Sequence, residues 1–205
     1  MLRYWASSQI SLRIAREIQF LRPKEFSNVF LGLGGFHLAK EIMACIGKYL
    51  RESGAENIFV ETETFKPDLA ESVLCGKHYS RAMRGFSILA ESMQRLCWKA
   101  VLENKKFQLS EELITEINML KDSFTTKNSV KAHEHLTNMR PMLSQIVIEV
   151  DKFIAESVNE NETFRYWHQF IAILYPILRD LTRAQREGDW NLHINVLVQS
   201  IQLFF

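Results

Sequence analysis

Apolar residues recur along most of this chain at three- and four-residue intervals, the spacing of one helix face. In residues 8–21, Ile10, Ile14, Ile18 and Leu21 share a face, and Pro23 ends the run. Residues 28–33, Asn-Val-Phe-Leu-Gly-Leu, form a short apolar run between turn formers, which predicts a buried strand. Helical period returns over 36–52 through Leu38, Ile42, Ile46 and Tyr49/Leu50, and Ser53-Gly54 stops it. Residues 57–61, Asn-Ile-Phe-Val-Glu, predict a second short strand. Strand, helix and strand in succession read as one βαβ unit.

From Pro67 onward every period is helical. Pro67 suits a first helical turn, and Gly76 suits the turn that closes that short helix. A long helix is predicted over 79–102, with the seam Tyr79, Met83, Phe86, Leu89/Ala90, Met93, Leu96/Cys97 and Ala100. Another is predicted over 109–124, with Ser110 at its start and Glu111-Glu112 in its first turn, where acids favour the helix dipole. Two more seams run through Leu136, Met139, Leu143, Ile146, Val150 and Phe153, and through Phe164, Trp167, Ile171, Leu174, Leu178 and Leu181. Pro141 and Pro176 fall inside them, so a kink or break is expected at each. The predicted fold class is mainly α (α+β). A small βαβ-like piece over residues 1–66 precedes a helical bundle over 67–205.

Composition narrows the function classes. The 25 Lys+Arg against 24 Asp+Glu leave a formal charge of +1, so no global field is available to hold nucleic acid or a membrane. Cys45, Cys75 and Cys97 each lie in an apolar run and are odd in number, which suggests reduced thiols and an intracellular setting, cytoplasmic or nuclear. Neither a secretory signal nor a membrane-spanning stretch is legible. The chain finishes on Leu203-Phe204-Phe205 with no polar tail, the pattern expected of a fragment prone to self-association.

The sharpest local signal is Gly32-Leu33-Gly34-Gly35-Phe36-His37, which follows a predicted strand and opens a predicted helix. With Glu61 at the end of the second strand it approaches a dinucleotide fingerprint, in which glycines let a pyrophosphate reach the helix N-terminus. His37 stands where that fingerprint has its third glycine, and its imidazole does not suit close helix–strand packing. Arg81, Arg84, Arg95 and Lys99 lie along one helix, interleaved with Tyr79 and Trp98, and are candidate phosphate contacts; a solvated face explains them as well. His133 and His135 point roughly 200° apart on a helix and suit a solvated face rather than a shared metal ion. Gly188 suits the left-handed position after one helix and Asp189 the N-cap of the next, with Trp190 packed across the corner. No catalytic set, no metal set and no cofactor is indicated.

Several segments taken in order carry a resemblance. They are Gly34-Gly35-Phe36-His37-Leu38-Ala39-Lys40, Ile46-Gly47-Lys48-Tyr49, Ser53-Gly54, and the run from Glu71 through Gly76-Lys77-His78-Tyr79. Trp167, Arg183-Ala184 and Gly188-Asp189-Trp190-Asn191-Leu192-His193 close the series. The chain resembles a group of uncharacterised, multi-copy proteins encoded by animal transposable elements or derived from them, over residues 28–102 and 164–205. The resemblance implies a piece of a transposase-like protein. Residues 1–66 would then be a truncated RNase-H-like core, in which carboxylates at strand ends hold two divalent metals, and 67–205 its helical insertion. In that group an Asp-Gln pair precedes the Gly-Gly-Phe-His segment, whereas this chain has Ser7-Ser8-Gln9. The missing acid implies that cleavage is lost.

Three readings follow: a transposable-element-derived protein without catalysis of its own, a helical protein-interaction module docking a partner through an uncovered apolar face, and a dinucleotide-binding enzyme using Gly32, Gly34, Gly35 and Glu61. Weak nucleic-acid binding is an expectation of the first. No reading requires a membrane.

Overall fold

A computed structural model of the chain describes residues 2–6, 8–103 and 109–204, with backbone alone for 2–6, 9, 142 and 145. Ser7 and Phe205, both invoked above, lie outside the described residues. The chain is mainly α-helical and divides into two compact units, Met1–Glu91 with Gln169–Phe205, and Ser92–His168. The expected boundary at 66/67 therefore falls inside the first unit.

The first unit opens with strand β1 (Leu2–Ala6), helix α1 (Gln9–Leu21), the single turn α2 (Pro23–Phe26) and strand β2 (Val29–Leu33). The two strands pair in parallel, from Leu2 opposite Val29 to Ala6 opposite Leu33. Parallel strands need a crossover, and α1 with α2 supplies it. Ser8 caps α1, its Oγ accepting the Ser11 N–H at 3.1 Å. A βαβ unit is present, but one element earlier than the sequence pattern predicts.

The strand expected at 57–61 is instead helix α4 (Ala55–Glu61). Three apolar residues in a row do not distinguish strand from helix. Winding them helically buries Ala55 and Phe59, four residues apart, and sets the Phe59 ring edge-on to Phe65 at 5.3 Å. Gly54, at φ 86°, provides the left-handed turn into α4.

Helix α3 (Gly35–Tyr49) buries Leu38, Ala39, Ile42, Met43 and Ile46, as its period predicts. It packs against α5 (Pro67–Leu74), which starts on Pro67 and closes through Gly76 at φ 69°. It also packs against α10 (Tyr175–Glu187), whose Ile177, Leu178, Leu181 and Ala184 are buried. Full burial of each large aliphatic side chain contributes about 1.5–3 kcal/mol, so this seam is a large contributor to the unit's stability. Ahead of α10 the chain widens into a π-helical turn, Phe170–Leu174, closed by the Tyr175 N–H on the Phe170 carbonyl. Pro176 lacks an N–H and its ring crowds the carbonyl four residues back, which explains the expected interruption there. Helix α11 (Trp190–Ser200) folds back on α10.

Helix α6 (Tyr79–Glu103) begins in the first unit, where Ala82, Phe86, Leu89 and Ala90 are buried. Farther along, Cys97 and Val101 turn inward, while Leu96 and Ala100, placed in the seam by sequence, are exposed. The second unit holds α7 (Glu111–Thr125), capped by Ser110 Oγ on the Leu113 N–H at 3.3 Å, and α8 (Ser129–Glu160), capped by Asn128. These two form a hairpin through a turn with Lys127 at φ 54°. Across it His135 Nδ1 meets Glu116 Oε2 at 2.8 Å. His133 is exposed as expected; His135 is not a solvated residue but a bridge between helices. Pro141 lies within one continuous α8, so the break expected there is absent. Helix α9 (Glu162–Gln169) ends this unit, with Phe164 edge-on to Phe153. Among the described residues no helix is long and apolar enough to cross a membrane.

One backbone contact is a sensitive test of this packing. A β-carbon on Gly47 would strike the carbonyl oxygen of Leu74, and main chain cannot swing aside as a side-chain tip can. Gly47→Ala should destabilise the fold by about 1–3 kcal/mol, the usual cost of overpacking, measurable as a lower midpoint in urea denaturation.

Candidate functional site

Two segments far apart in sequence meet in the first unit. The turn from β2 into α3 places Gly35 and Phe36 beside the α10–α11 corner, where Ala184, Gln185, Gly188, Asp189, Trp190 and His193 complete a recess of about 340 Å³. That volume is at the small end of ligand pockets. Gly188 adopts φ 68° after α10, and Asp189 Oδ1 accepts the Leu192 N–H at 2.9 Å. Both observations agree with the capping roles expected from sequence. Trp190 sits edge-on to Phe30 at 5.9 Å and stacks on His193 at 5.6 Å. Phe36 packs on Tyr79 at 5.0 Å and on His37 at 5.5 Å, with Lys40 Nζ over its ring at 5.8 Å. His37 is thus part of an aromatic cluster at the start of α3.

The glycines of this turn have packing explanations. Gly32 lies within β2, opposite Trp5. Gly34 precedes α3 at φ −58°, a value open to any residue. At Gly35 the space for a side chain is taken by the Gln185 amide. Glu61 ends α4, exposed, and not a second strand. The dinucleotide arrangement loses the strand on which its acid would stand.

Other sequence candidates do not converge. Arg81 and Arg84 are exposed on the part of α6 in the first unit; Arg95 and Lys99 are exposed on the part in the second, Lys99 3.7 Å from Glu103. Burial pushes the Cys45 and Cys97 thiols up, as expected for inert cysteines. Cys75 departs from its expected apolar setting and is exposed just after α5. Among the described residues no group of three or more His, Cys, Asp or Glu is placed to hold a metal ion.

A second feature was visible in sequence only as an amphipathic stripe. Helix α1 and β2 flank an open groove of about 510 Å³ lined by Ile10, Ser11, Ile14, Ala15, Ile18, Gln19, Phe26, Val29 and Leu31. Gln19 Nε2 ties α1 to the chain around the start of β2 by donating to the carbonyls of Phe26 and Val29 at 3.0 and 2.8 Å. Ile10 remains 68% exposed and Leu21 70%, although both belong to the apolar stripe. Period alone finds such a stripe but not whether anything covers it.

A family model described as a domain of unknown function (DUF8702) matches residues 12–205. The chain belongs to that family. The DUF8702 match includes most of α1 and both segments of the α3–α11 recess. No curated protein and no solved structure matches the chain.

Two predictions follow from the corner. Asp189→Ala should cost about 1 kcal/mol as a lost N-cap, read by thermal unfolding. Burial also holds the His193 imidazole below its ordinary range. The unfolded chain then binds the extra proton first. Stability from this residue is therefore complete above the ordinary histidine pKa and falls as pH drops from there toward the lower, folded-state value. His193→Leu should flatten the decline in unfolding free energy between about pH 7 and 5.

Proposed function

We propose that this chain is a protein-interaction module descended from a transposable-element protein, without nucleic-acid cleavage of its own. The observation that supports the interaction reading is the α1–β2 groove, where isoleucines at 10, 14 and 18 stand in one line beside half-buried Val29 and Leu31. Apolar grooves of this kind receive a partner's side chains, because burying them releases ordered water at both surfaces. The transposable-element origin rests on the resemblance of the ordered segments alone. Multiple genomic copies with flanking terminal repeats would support it, and a single unflanked locus would count against it.

A photoreactive residue at position 14 should yield discrete crosslinked adducts in cells, while the same residue at exposed position 186 on α10 should not. Absence of adducts at 14 would sink the interaction reading. Cleavage is tested separately. Two-metal chemistry needs carboxylates converging on ions about 3.5–4 Å apart. Glu61 ends α4, Glu63 lies in the turn beyond at φ 55°, and Asp68 is in the first turn of α5. Supercoiled plasmid with Mg²⁺ or Mn²⁺ should stay intact; nicking that vanishes in Glu61→Ala would overturn this. Residual DNA affinity through Arg81, Arg84, Arg95 and Lys99 would fall steeply with salt.

A further inference from the structure

We infer that the partner seated on α1 is a second copy of this chain, its own α1 lying antiparallel across the first. The inference rests on the interaction reading above and names the occupant. On the helical wheel Ile10, Ile14, Ile18 and Leu21 form one exposed stripe, with Arg13 and Glu17 together on one border. An antiparallel two-fold pair brings the same border of each helix face to face. With the axis beside Ala15, Arg13 of each copy stands opposite Glu17 of the other, so the two charges are matched twice. The same register brings Leu21 of one copy next to Ile10 of the other, covering the two most exposed members of the stripe. Ala15, small and half-buried at the midpoint, permits close approach.

Charge selects this occupant. A strongly acidic partner would leave Glu17 opposed, and a strongly basic one Arg13; the chain's own image satisfies both. Area is consistent as well. The four stripe residues leave roughly 400 Å² of apolar surface per copy open, about half of the ~800 Å² each partner brings to a standard interface. The half-buried walls Phe26, Val29 and Leu31 adjoin that stripe and enlarge it. An interface at this small end of the range is that of a weak, reversible dimer.

Sedimentation equilibrium of the full chain across a concentration series is the test. Self-association in the micromolar to tens-of-micromolar range is expected (roughly where open apolar faces pair). Ile14→Glu should weaken it by about tenfold or more. Arg13→Glu should weaken it by about fivefold, and Arg13→Glu with Glu17→Arg should restore it. All three positions are exposed, so circular dichroism should not change, nor should Tm when it is measured at concentrations low enough for the parent to be monomeric. A chain that stays monomeric, or a dimer indifferent to Ile14→Glu, overturns the inference. If a monomer nevertheless forms heterologous adducts from position 14, the interaction reading stands and only the second copy is wrong. If neither dimer nor adduct forms, both fall.

Discussion

Helix α3 buries Leu38, Ile42, Met43 and Ile46 along one side, and Gly47 lets the carbonyl end of α5 come directly against its backbone. Because α10 packs on the same helix, the position of α3 fixes where the α10–α11 corner arrives. The N-terminus of α3 in turn follows β2 after a single residue, Gly34, so strand and corner are brought together at one point. Trp190 meeting Phe30 is the consequence. The recess is therefore a product of core packing: its walls are end pieces of elements held elsewhere by apolar burial. That makes Gln185 over Gly35 and the Asp189 cap readable as the closing of a corner, with no ligand required to account for either.

The helices of this fold were largely legible because their periods are long and their caps chemically specific. Ser110 and Asp189 each accept an N–H three residues on, as their types and positions predict, and Ser8 does the same where the sequence showed only the start of a helical run. The strands were less legible. β2 showed itself as a bounded apolar run, whereas β1 has Arg3 among aromatic and aliphatic residues and no turn signal before it. The α4 segment offered a strand-like Ile-Phe-Val, and what decides it is tertiary. Phe59 and Ala55, four residues apart, both find buried neighbours; a strand would keep them on one face but set them about 13 Å apart along it, whereas one helical turn stacks them side by side. Pro141 and Pro176 teach a related point. A proline's local cost is fixed, but the response differs: a π-helical turn forms ahead of Pro176, while α8 carries Pro141 inside one helix.

The candidate site was legible in fragments. Sequence singled out both the Gly-Gly-Phe-His turn and the Gly-Asp-Trp corner, but nothing in their spacing placed them together, since more than a hundred residues intervene. His193 stood there only as the last residue of the segment 188–193. Its distinguishing property, burial against Trp190, depends on how α11 returns across α10 and has no local sequence signature.

The contrast between the recess and the groove bears on function. In the recess the conspicuous residues have structural tasks, and substituting them should register first in stability. Along α1 the reverse holds: Ile10 and Leu21 are large, apolar and mostly in water, so they contribute little to the isolated fold. Ser8 organises the same helix by capping it. The exposed stripe is thus a part of the molecule whose sequence the isolated fold alone does not explain.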